Sequence, residues 1–493
     1  MKGEDDYAQT TRKSVQVEDF ELNDFDDSTA FPLINSTLPK GGDDIHTEQA
    51  FEIDESGSEL LRKTWYEGEE VVLYPANYEK VSVVRLQIAT CLVLFVMFGM
   101  TDQVNGSLMP VITKYYNVTE LQMSIVFFLQ LMGYVSASVL NDILHKKWGS
   151  RGVMTASCIL AAFTYLVLAL KPYSLYLYAI CFFPLGMCVG FVDSTGNFYF
   201  GNLETRKNEW MGLLHGIYGL AAGVTPPLVT TFDHYLDWSY IFWVPLVFAL
   251  VGLALCMGAF KYETATKYRY ICVGVPDESG GIENEEEIKW YQLSKYPPMI
   301  FLYAFFLFLY LGTEIGVGTW LFTYLLNYKK GEKFLMSFVT ASFWSGITIG
   351  RLGLGFVTKR FKNEYRSSVW YGLTCSLFFF LFVIINLINS TSTFYFFVLS
   401  LMIFGAGIFI GPLFPNASVV AIQILPKHQQ VSGIGTAIAF GGCGGALITY
   451  SFGFANKIFG FQYYPFLCFL GSLAFNIVWM LYPKIIKGHR EYL

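Results

Sequence analysis

Twelve apolar stretches, each near the about 20 residues a helix needs to cross lipid, fill most of residues 86–482. A backbone in hydrocarbon must satisfy its own N–H and C=O groups, so runs of this length fold as helices. They cover 86–109, 121–140, 153–170, 175–200, 210–231, 240–260, 298–326, 334–357, 367–387, 394–420, 431–454 and 465–482. The longest connection, 261–297, is polar, clusters acids at 283–287, and falls between the sixth and seventh runs. The expected architecture is an all-α membrane protein of twelve transmembrane helices in two pseudo-symmetric six-helix bundles, 85–260 and 298–483. A cytosolic central loop, 261–297, joins them. Charged residues are only 15% of the chain, against roughly 25% in soluble domains.

Charge is unevenly placed. Residues 1–80 carry a net charge of −13 and the remainder +7. Few apolar residues and clustered acids predict a disordered, solvated acidic tail over 1–84. No apolar core opens residues 1–20, so the first span is expected to act as the insertion signal. Leu60-Leu61 reads either as a sorting signal or as a chance pair. Short inner loops and the C-terminal tail, 484–493, hold thirteen Lys/Arg and the outer loops six when both termini are placed in the cytosol, which favours that orientation. The membrane is expected to be plasma or vacuolar. No basic, aromatic-interleaved stripe suggests nucleic acid as a partner. Eight of the nine cysteines lie in apolar runs and none forms a CxxC pair, so they read as packing residues.

Asp102, Asp193 and Glu314 stand inside apolar runs. An ionised carboxylate at that depth costs about 2.5–3.5 kcal/mol on insertion scales, and the usual compensation is an aqueous pathway that binds solute or carries protons. Helical spacing puts Gly99, Asp102, Asn105 and Gly106 on one face, and Gly186, Gly190, Asp193 and Asn197 on another. An Asp with an amide one turn away offers acceptors and donors together, suited to hydroxyl groups; the plainer alternative is an interhelical hydrogen bond. Tyr310 and Glu314 share a stripe in the seventh run, and no Lys or Arg is evident near Glu314, which suits reversible protonation. The alternative there is a permanently protonated structural donor. His215, one turn into the fifth run, is either a proton relay or a packed interfacial residue.

Asp102 precedes Gly106 by four as Glu314 precedes Gly318, and Gly186 precedes Asn197 by eleven as Gly405 precedes Asn416. Matched spacings in corresponding runs indicate a two-fold repeat, which would place a ligand near the midplane between the halves. Asp142 and Arg151 in the loop after the second run, and Arg351 at the inner end of the eighth, read either as orientation signals or as a cytosolic gate. The dense glycines of 433–445 suit close packing or a hinge. No metal cluster, cofactor motif or nucleophile–base pair appears, so no metal, cofactor or enzyme activity is expected.

These features resemble the major facilitator superfamily. More narrowly, Gly99-x-x-Asp102-x-x-x-Gly106 with Pro110, Asp193-Ser194-x-x-Asn197 and Gly411-Pro412-x-x-Pro415-Asn416 are similar to its fucose-permease-like branch, whose fungal members include the "bypass of stop codon" transporters. The resemblance covers about 85–485. It implies the major facilitator fold, and it implies that acids at Asp102 and Asp193 serve sugar binding and proton coupling. The chain departs from the family in two places. The span-four acid is Asp where the bacterial permease has Glu, and Asp142 is followed by Ile143 rather than by a base. The expected function is a monomeric secondary transporter of a small polar solute, a sugar in the first reading, by alternating access with proton symport. The alternatives are a transporter of a different solute, a proton antiporter, or a non-transporting receptor.

Overall fold

The structure, a computed structural model, describes residues 61–273 and 298–485 apart from 359, 362, 389, 425 and 426. Most of the acidic tail and of the central loop, including Leu60 and the acids at 283–287, therefore lies outside the described residues.

Single polar residues at the short connections start many of the helices. Helix α1 (Ser82–Tyr116) ends at Asn117, whose φ of 53° is left-handed. Thr119 then caps α2 (Glu120–Met123) in a reciprocal box with Gln122, satisfying two orphan N–H groups at once. Helix α3 (Ile125–Ala169) follows. Ser174 caps α4 (Leu175–Ile180), which runs into α5 (Phe182–Gly201) and then α6 (Lys207–Tyr235). Asp237 caps a 3₁₀ turn leading to α7 (Trp243–Ala259), and α8 (Ala265–Val273) ends the first half. The second half comprises α9 (Pro298–Asn327), α10 (Lys333–Thr358), α11 (Glu364–Asn386, capped by Asn363), α12 (Thr393–Ile410, capped by Ser392) and α13 (Leu413–Ile424). It closes with α14 (Lys427–Phe459), α15 (Tyr464–Met480) and α16 (Tyr482–Ile485).

Among the described residues, nine helical segments are long and apolar enough to cross a membrane. Their outward faces are apolar: Ile159, Phe163, Val247, Leu250, Phe380 and Phe397 are exposed. On a water-soluble domain that would be an aggregation surface; on an integral, multi-pass membrane protein it is the lipid face.

One of the nine segments, Glu120–Ala169, is 50 residues long, more than twice what a bilayer requires. Its helix is broken at Gly149, whose φ of 65° and ψ of 175° interrupt α3. Only glycine adopts that backbone without strain. A Cβ there would also lie 2.4 Å from the carbonyl carbon of Thr264. Gly149→Ala is therefore expected to lower thermal stability by about 2 kcal/mol or more, seen as an earlier transition in a melt of the purified protein.

The two halves repeat one packing scheme. Helix α1 packs on α6 and α3 on α5; α9 packs on α14 and α10 on α12. The second pairing uses the same device in both halves. A Cβ on Gly133 would lie 2.0 Å from the Phe183 carbonyl oxygen, and one on Gly350 would lie 2.0 Å from that of Ile408. Glycines let these backbones approach where a side chain would hold them apart.

The expected disorder of 1–84 is corrected at its end. Strands β1 (Arg62–Tyr66) and β2 (Glu69–Leu73) form an antiparallel hairpin. Glu67 and Gly68 turn it, both at positive φ, the conformation whose twist fits a two-residue hairpin loop. An isolated hairpin is marginal in water, but this one buries Val71, Val72 and Leu73. It is tied to α8, itself inside the expected central loop: Glu67 pairs with Arg269 at 2.6 Å, and Tyr74 donates to Glu263. Glu263 also pairs with Lys267 at 2.7 Å, both side chains being nearly covered. Burial alone would raise the Glu263 carboxyl. The Lys267 charge and the hydrogen bonds it receives outweigh that and hold it below its ordinary value. The side of the molecule bearing this assembly is called the hairpin face below, and the opposite side the far face.

Candidate functional site: a polar cavity between the halves

A cavity of about 1030 Å³, its open mouth included, lies between the halves and is lined by α1, α3, α5 and α6 on one side and α9, α10, α13 and α14 on the other. Its walls are mainly apolar, with Phe98, Phe127, Leu311, Ile315 and Phe414 among them; three carboxylates, Asp102, Asp193 and Glu314, and one guanidinium, Arg351, project into it.

Close packing sets the first-half wall. A Cβ on Gly99 would lie 2.3 Å from the Tyr218 carbonyl oxygen, so α1 presses against α6. That contact delivers the Tyr218 hydroxyl to Asp102 Oδ2 at 2.9 Å. Gln130 of α3 donates to Asp102 Oδ1 at 2.7 Å. One turn along α3, Tyr134 donates to Asp193 Oδ2 at 2.7 Å. Asn197, one turn beyond Asp193, donates to its Oδ1 at 2.8 Å. His215 Nε2 sits 3.1 Å from Asn197 Oδ1; since the amide nitrogen is committed to Asp193, the imidazole is the donor. The route from His215 to Asp193 thus passes through an amide, which fixes orientation better than it hands on protons.

The second-half wall corrects the reading that Glu314 has no cation near it. Arg351 Nη2 pairs with Glu314 Oε1 at 2.8 Å, and both side chains are almost fully covered. The two residues are 37 positions apart and on different helices, so only the fold brings them together. Arg351 starts about two turns from the end of α10, and its long side chain carries the charge into the cavity. It is not paired with a gate residue. Asp142 pairs instead with Lys146 at 2.7 Å and accepts from Tyr268 of α8 at 3.3 Å. Arg151 is exposed, and its backbone N–H bonds the Glu263 carbonyl at 3.1 Å.

Three residues expected in the site face neighbouring helices. Asn105 is buried and accepts from Tyr178 at 2.8 Å. Asn416 donates to Ser367 at 3.2 Å. Tyr310 is buried, with its hydroxyl 3.3 Å from the Ile410 carbonyl oxygen, but it also lies against Glu314 and Arg351, close enough to interact with both. Gln130, Tyr134 and Tyr218 were missed. The signal for the first two was a pair of polar side chains four apart in an otherwise apolar run.

Beyond the cavity, toward the far face, the halves are joined. Gln103 accepts from the Trp344 indole at 2.9 Å and donates to the Gly318 carbonyl at 3.1 Å. Gly106 lies so close to Thr319 that a Cβ would be 2.7 Å from its carbonyl oxygen. Lys333 pairs with Asp233, and Asn327 donates to Glu120 at 3.2 Å. Among the described residues, no group of three or more His, Cys, Asp or Glu is placed to hold a metal ion.

A mainly apolar cavity carrying a few charged groups between two similarly packed helical halves, closed on one face, is the arrangement of a membrane transporter. Residues 91–449 match the family profile described as the Major Facilitator Superfamily, and the chain belongs to that superfamily of transporters, which are not enzymes. It is 44% identical over 488 residues to "Bypass of stop codon protein 6" of Saccharomyces cerevisiae, covering 97% of this chain and 98% of that one. It is 27% identical over 376 residues to "Glucose/mannose transporter GlcP" of Bacillus subtilis, covering 73% and 86%. It is also 25% identical over 225 residues to "Sodium-dependent glucose transporter 1" of Xenopus laevis, covering 42% and 44%.

Proposed function

We propose that the protein moves a small, neutral, polar solute of the sugar class across its membrane by alternating access, coupled to proton symport. The observation that carries this reading is the cavity, where three carboxylates from both halves meet in an apolar setting. Such groups are retained within a membrane where solute or protons pass. The likeness to a glucose/mannose transporter over 376 residues supports the sugar class. The twelve-span reading counts the Gly149-broken segment as two spans and adds α10 and α14 to the other eight. With both termini in the cytosol, the hairpin face is cytosolic, and the far-face contacts make this the outward-closed state. Asp102 and Asp193 are then the groups that couple the proton.

The test is reconstitution of the full chain in liposomes with labelled D-glucose, D-mannose and a panel of neutral monosaccharides, under an imposed inward proton gradient. Accumulation that collapses with a protonophore is expected. Asp193→Asn removes charge with little change in volume, so it is expected to insert and melt like wild type but to lose accumulation. Accumulation by wild type without a gradient would remove proton coupling, and uptake of none of the panel would remove the sugar class. Wild-type uptake by Asp193→Asn, with unchanged pH dependence, would reduce Asp193 to a structural role.

A further inference from the structure

Hydrogen-bonding capacity in the cavity is unevenly used. All four carboxylate oxygens of Asp102 and Asp193 already accept from a protein donor: Gln130, Tyr218, Tyr134 and Asn197. His215 is committed to Asn197. The second-half pair differs. Glu314 Oε2 and both Arg351 Nε and Nη1 are buried side-chain atoms without a well-formed hydrogen bond, although Glu314 and Arg351 line the cavity; the nearby Tyr310 hydroxyl, which interacts with both groups, is placed 3.3 Å from the Ile410 carbonyl oxygen. A guanidinium offers five N–H donors in a fixed fork; here the described partner, Glu314, takes one at Nη2. Buried polar atoms left unmatched cost about 1–3 kcal/mol each, and a site that keeps several side by side is set up to have them matched by something that enters.

We infer that the Glu314–Arg351 pair is the solute-recognising element and that it grips two adjacent hydroxyls of a neutral polyol. One hydroxyl donates to Glu314 Oε2, and its neighbour accepts from Arg351 Nε or Nη1. This inference rests on the sugar-class reading above and assigns within it the group that reads the solute. The charge balance favours a neutral ligand. Arg351 is already neutralised by Glu314, and Asp102 and Asp193 share the lining, so a carboxylate or phosphate would meet net negative charge. An organic cation would find all four oxygens of Asp102 and Asp193 already hydrogen-bonded and, beside the one open carboxylate oxygen of Glu314, the guanidinium of Arg351. Tyr218 presents its ring 6.0 Å from the guanidinium carbon, and Phe98 and Phe414 add aromatic wall nearby, a surface suited to the C–H face of a sugar ring. Vicinal hydroxyls match the spacing of adjacent donor and acceptor on a paired carboxylate and guanidinium better than an isolated hydroxyl does.

The experiment uses the purified full-length chain in detergent and reads thermal shift, which rises with ligand concentration over Kd. A panel of D-glucose, D-mannose, D-fructose, myo-inositol, D-glucosamine and D-gluconate is screened first. A shift from a neutral member and none from the amine or the acid is expected. The neutral hit is then compared with its monodeoxy forms. Removing either member of one vicinal pair is expected to weaken binding about tenfold or more in wild type. Arg351→Lys keeps a cation but removes the fork, and Glu314→Gln removes the acceptor charge and leaves Arg351 unpaired, so the melt of each variant without ligand is taken as its own baseline. In each, the deoxy penalty at that pair should shrink to about threefold or less. In Asp193→Asn it should persist. An unchanged deoxy penalty in both Arg351→Lys and Glu314→Gln, or its loss in Asp193→Asn instead, overturns the inference while leaving the sugar class intact. Binding only of the amine or the acid, or of nothing in the panel, overturns the sugar class and the inference with it.

Discussion

Arg351→Ala is expected to be among the most damaging single substitutions in the second half, abolishing uptake and lowering unfolding stability by about 3–5 kcal/mol at the buried limit. The substitution leaves Glu314 as an unpaired carboxylate whose side chain is 3% exposed. Removing one partner of a buried ion pair is worse than removing both, because the desolvation cost of the survivor is no longer offset. The double variant Glu314→Gln with Arg351→Gln should therefore recover most of the lost stability, since two amides can bond each other and neither carries charge. It should not recover uptake. Thermal unfolding of the three variants in detergent, beside initial uptake rates in liposomes, checks the expectation. A double variant no more stable than Arg351→Ala would show that the pair is not coupled in the folded protein. A double variant that transports like wild type would show that the pair only holds α9 to α10.

The same pair marks where the sequence ceases to inform. Asp102, Asp193 and Glu314 were legible because a carboxylate in an apolar run is costly wherever the run ends up. That argument needs only the local context. The partner of each carboxylate was not legible, because partners come from other helices: Gln130 and Tyr218 reach Asp102 from α3 and α6, and Arg351 reaches Glu314 from α10. Face-sharing on one helix was a partial guide. It placed Asn197 correctly beside Asp193 but put Asn105 with Asp102, whereas Asn105 turns toward Tyr178. A helical face spans enough arc to touch both a cavity and a neighbour, and periodicity does not distinguish them. The apolar runs were legible, and several helix starts are set by polar caps such as Ser174 and Asn363; other bounds were not, since the run 86–109 continues as helix to Tyr116 and the runs 121–140 and 153–170 lie in one segment, Glu120–Ala169, broken at Gly149. The hairpin was missed for a different reason. Acidic composition argued for disorder across the whole tail, and Glu67-Gly68, set between Thr64-Trp65-Tyr66 and Val71-Val72-Leu73, lacks the Asn or Asp that marks the usual two-residue turn, although Gly68 accepts the positive φ it needs.

Gly186→Val is expected to disable the protein by separating α5 from α3. An added Cβ at Gly186 would lie 1.9 Å from the Gln130 carbonyl oxygen, and one at Gly133 would lie 2.0 Å from the Phe183 carbonyl oxygen. The clash is with backbone in both directions, so no side chain can rotate away, and the helices themselves must move apart. Overpacking usually costs about 1–3 kcal/mol; here two branched carbons follow the clashing Cβ, so the upper end or beyond is expected. The consequence reaches the cavity directly. Gln130 is the residue struck and also holds Asp102, and Tyr134 and Asp193, one to two turns away across the same helix pair, are held at 2.7 Å. Gly186→Ala should therefore keep a folded, monodisperse protein while losing most uptake, and Gly186→Val should lose the folded protein as well. Gly355→Ala is the control. No atom lies within 4 Å of a Cβ there, so it should be neutral or stabilising by about 0.4–1 kcal/mol, as removing backbone freedom from the unfolded chain predicts. Size-exclusion profiles, melting curves and uptake rates for the three variants decide the matter. If Gly186→Val eluted, melted and transported like wild type, the close approach of α3 and α5 would not be what holds Asp102 and Asp193 in place.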